Sequence, residues 1–65
     1  MPFITVLTLR GKTLEQRRTF AAEVTKLAID CLGARPEEVR VHFVEMDATE
    51  FARAGRLMSD QVEAR

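Results

Sequence analysis

Proline is the second residue of this chain, and the seven residues after it, Phe3-Ile4-Thr5-Val6-Leu7-Thr8-Leu9, carry strand-forming side chains. The small, compact side chain of Pro2 permits ordinary removal of Met1. Removal leaves a secondary amine with a free lone pair, whereas an internal proline nitrogen is an acylated amide. Fixed at the start of a strand, such an amine can serve as a rigid base or nucleophile. Met-Pro is also a common protein start, so the dipeptide alone does not choose between chemistry and coincidence.

Other residues are candidates of lesser weight. Gly11-Lys12-Thr13 follows the first apolar run and precedes a helical pattern, as the end of a phosphate-binding loop would. That motif needs a glycine five residues before Gly11, where Val6 stands, and the loop is too short to wrap a phosphate. The motif is rejected, although unpaired N–H groups at the helix start can still receive an anion. Arg40 lies in an apolar run and has two readings, an interface ion pair or an anion contact. His42 shares its face by parity and suits an interface or the surface better than catalysis. Cys31 falls on a helical apolar stripe and is expected to pack in the core. Phe51, in a polar stretch, either closes a pocket or anchors the C-terminal segment. No Ser-His-Asp, Cys-His or zinc-ligand arrangement is present in the pattern.

The elements that must position these residues are legible. Residues 3–9 read as a strand with apolar side chains on both faces, ended by Gly11. Thr13 and Gln16 have the spacing of a capping box. Helical periodicity runs over 14–32. Phe20, Val24, Leu27 and Cys31 mark the buried stripe, with Ala21 and Ala28 beside them. Arg17, Arg18, Glu23, Lys26 and Asp30 fall largely opposite. Gly33 is the expected left-handed stop, and Pro36-Glu37-Glu38 one short turn. Residues 39–44 form the second strand. Strand, long helix and strand make a βαβ unit with parallel strands and a right-handed crossover. Ala54-Gly55 is read as a hairpin turn, and 57–64 as a final helical turn. The fold class is therefore α/β, one small domain over residues 1–65, with the face of strand one that carries Ile4 and Val6 expected to stay wet in a monomer.

A chain of 65 residues hides about 60% of the surface that its unfolded form exposes, so an isolated core is marginal. Hydrophobic content is 46%, a normal globular value, and the single cysteine cannot bridge within the chain. Oligomerisation is the expected source of the missing burial. Ten basic residues balance ten acidic ones, which argues against nucleic-acid or membrane-surface partners. Trp and Tyr are absent, so stacking on bases or sugars is poorly supported. No apolar run has the length of a membrane span. With no targeting segment read before the first strand, and one unbridged cysteine, the expected compartment is the cytoplasm.

Taken jointly, the chain resembles the 4-oxalocrotonate tautomerase family over nearly its whole length. The resemblance rests on Met1-Pro2, Leu9-Arg10-Gly11-Lys12-Thr13, Glu15-Gln16, Val39-Arg40-Val41, Val44-Glu45-Met46 and Phe51. It implies a tautomerase-like βαβ fold with a short C-terminal hairpin, completed by assembly into a homohexamer, a trimer of dimers. It also implies a cofactor-free isomerase acting on a small carboxylate substrate, with no metal. In that family the amino-terminal proline is the general base, which assigns Pro2. Arg40 matches the arginine that meets the substrate carboxylate and 2-oxo oxygen, usually from a neighbouring subunit. Phe51 matches the pocket phenylalanine. Lys12 and Leu9 complete the substrate-binding set.

The sequence also departs from the family. Lys12 replaces an arginine at the strand–helix turn, which keeps the charge and loses the planar fork. Arg10 stands where close relatives are typically acidic. The hairpin reads Ala52-Arg53-Ala54-Gly55-Arg56, and its two arginines suit either a basic pocket mouth or subunit contacts. The expected reaction is keto–enol tautomerisation of a 2-hydroxymuconate-like acid. Two rivals remain. One is a hydratase or dehalogenase, which needs an extra carboxylate that the sequence does not point to. The other is a non-catalytic subunit of a mixed oligomer.

Overall fold

Residues 1–62 are described by the computed structural model. Strand β1 spans Phe3–Leu9, helix α1 Leu14–Leu32 and strand β2 Arg40–Met46. β1 and β2 pair in parallel, from Phe3 opposite Arg40 to Leu9 opposite Met46. A parallel pair needs a long crossover, and α1 supplies it. The helix opens on the expected capping box: Thr13 Oγ1 accepts from Gln16 N–H at 3.1 Å, and Gln16 Oε1 accepts from Thr13 N–H at 2.8 Å. It closes at Gly33, whose φ of 69° is left-handed and whose N–H donates to Ile29 C=O.

β2 is displaced from its expected bounds of 39–44. Val39 is spent on a 3-10 turn over Pro36–Glu38, donating to Pro36 C=O at 3.2 Å. At the other end Thr8 and Leu9 supply pairing partners that carry the strand through Glu45 and Met46. A second 3-10 turn, Ala48–Glu50, leads to the hairpin β3 (Ala52–Arg53) and β4 (Arg56–Leu57). Its two central residues, Ala54 and Gly55, have φ of 55° and 81°, the left-handed pair that two-residue hairpins favour. Helix α2 follows over Met58–Val62; residues 63 and 64 of the expected 57–64 turn lie outside the described residues.

One expectation about the sheet is reversed. Ile4 and Val6 are half-buried beneath α1, as are Val41 and Phe43 of β2. Phe20 of the helix meets Phe43 edge to face, with ring centroids 6.0 Å apart. The wet face carries the other parity: Phe3 is 73% exposed and Leu7 63%. Parity told the two faces apart but not which one the crossover helix would cover.

The helix stripe is also only partly covered. Ala28 is buried, but Phe20, Leu27 and Cys31 are exposed, so Cys31 is not a core residue. Two strands about 4.8 Å apart are narrower than a helix of about 10 Å, so half the stripe has nothing beneath it. Arg17, expected on the outer face, turns inward instead. Its Nη2 lies 2.6 Å from Glu45 Oε2, with the two side chains 38% and 16% exposed. Arg17 Nε and Glu45 Oε2 lack aligned hydrogen-bond partners, so the pair is an ion contact under the first turns of α1.

The chain is extended. Its radius of gyration is 15.2 Å and its principal extents are 44 × 24 × 15 Å, whereas a compact domain of this length has a radius near ~11 Å. The accessible surface is 5123 Å², against roughly 4200 Å² for a compact monomer of this mass. No helix among the described residues is long and apolar enough to cross a membrane.

Candidate active site

Pro2 sits immediately before β1, half-buried. Its carbonyl accepts a hydrogen bond from Arg40 N–H at 3.0 Å, which ties the chain start to the start of β2. The residue lies in a depression of about 350 Å³ shared with Met1, Leu32, Gly33, Ala34 and Glu38. The local sequence explains this wall. Gly33 stops the helix, Ala34 N–H reaches back to Ala28 C=O, and Pro36 starts the 3-10 turn that sets Glu38 beside the chain start. Arg35 Nη2 donates to Glu38 Oε2 at 2.8 Å. That hydrogen bond, with a second from the Arg35 backbone, holds the Glu38 carboxyl below its ordinary range.

Arg40 opens β2 opposite Phe3, exposed on the uncovered face of the sheet. Its guanidinium has no ion pair or side-chain hydrogen bond among the described residues, so it is a cation available to an anion. His42 lies two residues along the same face, beside Thr5, and is exposed. Pro2 and Arg40 are thus neighbours in the backbone ladder, but Pro2 faces the end of α1 and Arg40 the open side.

Leu9 and Lys12 stand at the other end. Leu9 closes β1, half-buried, and Lys12 is exposed in the connection to α1. Lys12 borders a hollow of about 320 Å³ with Thr8, Gln16, Arg17, Phe20 and Phe43. At about 3.3 Å per residue, the strand separates Leu9 from Phe3 by roughly 20 Å. Phe51 follows the second 3-10 turn, beyond the Leu9–Met46 end of the ladder; it is half-buried, and its carbonyl accepts from Met58 N–H at 2.7 Å. Within one chain, then, Pro2 and Arg40 are close in the ladder, whereas Lys12, Leu9 and Phe51 lie at the far end.

Arg10 is engaged locally. Its Nε lies 2.6 Å from Asp47 Oδ1, and its N–H donates to Met46 C=O at 2.8 Å, pinning the end of β1 to the end of β2. The Asp47 hydrogen bond raises the already high pKa of this exposed guanidinium, so Arg10 remains a cation. Glu38 was not singled out by its sequence. Its only signal is position, three residues after Arg35 and two before Arg40, and that signal acquires meaning once the turn is known to abut Pro2.

Comparison with known proteins agrees with this architecture. The profile of a family described as "Tautomerase enzyme" matches residues 2–61. The chain is 38% identical over 60 residues to the 2-hydroxymuconate tautomerase of Bacillus subtilis, covering 92% of this chain and 97% of the relative. Its fold is similar to a structure from the 4-oxalocrotonate tautomerase isozymes of Methylibium petroleiphilum, with a TM-score of 0.93, 31% identity, and coverage of 98% and 100% of the two chains. It is also similar to YwhB, a homologue of 4-oxalocrotonate tautomerase, with a TM-score of 0.87 and 37% identity over 91% and 97%. A shared β1–α1–β2 frame, matched from Pro2 almost to the end of the chain, places this protein in the tautomerase family of isomerases.

Proposed function

We propose that this protein interconverts the enol and keto forms of a small unsaturated 2-hydroxy or 2-oxo carboxylate of the 2-hydroxymuconate type, without a cofactor, using the amine of Pro2 as general base. The observation that carries this reading is the position of Pro2, tied to β2 by the Arg40 N–H and set in a depression at the end of α1. With Met1 removed, its nitrogen is a free amine on a rigid support. The amine takes the proton from the substrate's 2-hydroxyl, the electron pair moves through the conjugated system, and the same proton is returned to carbon. The net change is isomerisation, with no redox step.

Arg40 binds the carboxylate and the 2-oxo oxygen, where its fork stabilises developing enolate charge. Lys12 contacts a distal carboxylate as a point charge, and Leu9 and Phe51 exclude water. Since Lys12 and Pro2 lie at opposite ends of β1, a pocket using both is built between subunits. The extended shape and the bare Phe3–Leu7 face support the same assembly, a homohexamer arranged as a trimer of dimers. A cytoplasmic location accords with the unbridged Cys31.

A form that retains Met1 tests the base. There the Pro2 nitrogen is an amide, its lone pair is delocalised, and it accepts no proton near neutral pH. The Met1-retaining form is expected to fold and assemble but to lack tautomerase activity, and Pro2→Ala, with a primary amine after processing, to keep part of it. Equal turnover by processed and unprocessed protein, each verified by mass, would eliminate Pro2 as the base. Hydration or dehalogenation of an acrylate is the second reading, and the Glu38 carboxylate beside Pro2 is the observation in its favour.

A further inference from the structure

We propose that Glu38 is the counter-ion of the processed Pro2 amine, and that the Arg35–Glu38 ion pair sets how strongly it acts. The inference rests on the reading of Pro2 as a free amine. The keto–enol mechanism requires a base at this position and assigns no role to Glu38 or Arg35.

The geometry begins with the shared depression. Glu38 and Pro2 line the same wall, and the Glu38 side chain is only 27% exposed, so its carboxylate is not dispersed in solvent. The 3-10 turn fixes its backbone, with Glu38 N–H donating to Arg35 C=O at 2.9 Å. Its carboxylate is already within the field of the chain's amino terminus, one of the influences that keep it ionised. Removal of Met1 moves the terminal charge one residue inward, onto the nitrogen of Pro2, which lies in the depression itself.

The charges around that nitrogen oppose one another. Glu38 favours the ammonium form, whereas Arg40, exposed on the opposite side of the sheet, opposes it only weakly. Arg35 neutralises part of Glu38 from the far side. Glu37 in the same turn and His42 further along β2 are exposed and better screened. The end of α1 contributes Leu32, Gly33 and Ala34 to the wall, none of them charged. A base that must release its proton each cycle thus shares its depression with one carboxylate that retains the proton, and Arg35 partly neutralises that carboxylate.

The amine can be observed without any substrate. Processed protein labelled with ¹⁵N-proline carries two labelled nitrogens, of which Pro36 is an internal amide and serves as the non-titrating control. The midpoint of the Pro2 titration is followed by NMR in four proteins: wild type, Glu38→Gln, Glu38→Asp and Arg35→Gln. Glu38→Gln is expected to lower the midpoint by about half a pH unit, a magnitude suited to a partly screened neighbouring charge. Arg35→Gln is expected to raise it, because Glu38 loses its competing partner. Glu38→Asp keeps the charge and should lie near wild type. A lowered midpoint in Glu38→Gln together with a raised one in Arg35→Gln supports the counter-ion. Midpoints that coincide in all four proteins, that move in the same direction for Glu38→Gln and Arg35→Gln, or that rise in Glu38→Gln overturn it. Should Glu38→Gln fail to fold, Arg35→Gln decides alone, by raising the midpoint or leaving it in place. A displaced midpoint in a protein without tautomerase activity would refute the proposed reaction while leaving the counter-ion intact.

Discussion

Leu7 offers the most direct test of the link between assembly and activity. It lies midway along β1 on the uncovered face and is 63% exposed in the single chain. Full burial of a leucine is worth about 1.5–3 kcal/mol, so covering the exposed share in an assembly contributes roughly 1–2 kcal/mol per subunit. Leu7→Ala removes most of that and should weaken subunit association about tenfold per contact. Leu7→Asp goes further, because an unpaired carboxylate pressed into an apolar contact costs several kcal/mol. The fold of the separate chain should tolerate both, since substitutions at exposed positions usually fall within about 0.5 kcal/mol. Sedimentation velocity across a concentration series reads the assembly, and ketonisation of 2-hydroxymuconate reads activity on the same samples. The expected result is a graded loss of the large species from wild type through Leu7→Ala to Leu7→Asp. Turnover should fall in step, because Pro2 and Lys12 can share a pocket only across a subunit boundary. A Leu7→Asp protein that sediments like wild type would show that this face is not an interface. A dissociated one with full turnover would show that the pocket lies within one chain.

Arg40→Ala should lower kcat/KM on the order of 10²-fold or more through loss of a donor to the developing enolate. Its thermal midpoint should barely move, since the guanidinium has no partner among the described residues; unchanged steady-state rates would remove Arg40 from the site. Lys12→Arg should tighten dicarboxylate substrates more than monocarboxylates, by restoring a planar fork. Equal responses of the two classes, measured as KM, would show that Lys12 does not meet a distal carboxylate.

Local chemistry determined much of this protein directly from its sequence. The capping box of Thr13 and Gln16, the left-handed stop at Gly33 and the turn at Ala54-Gly55 depend on residues within a few positions of one another, so their types and spacing suffice. The apolar runs on either side of a 19-residue helix likewise pointed to parallel strands, because a helix of that length carries the chain back to the end of the sheet where β1 began. The candidates Pro2 and Arg40 were legible from type and position alone, a proline that becomes the chain terminus once Met1 is removed and a cation in an apolar run.

Tertiary structure decided what depends on partners distant in sequence. Alternation in β1 is symmetric enough that either face could have received the helix, and only packing selected Ile4 and Val6 over Phe3 and Leu7. A two-strand ribbon proved too narrow for the whole helical stripe, which left Cys31 outside the core. Glu45, on the face of β2 beneath α1, drew Arg17 inward, an attraction that helical periodicity cannot register. Glu38 gained a neighbour in Pro2 only when the 3-10 turn and the ladder brought the two ends of the βα segment together. Periodicity reports which side of an element is apolar. Which charges meet there is set by the register of β1 on β2 and by where the helix between them ends.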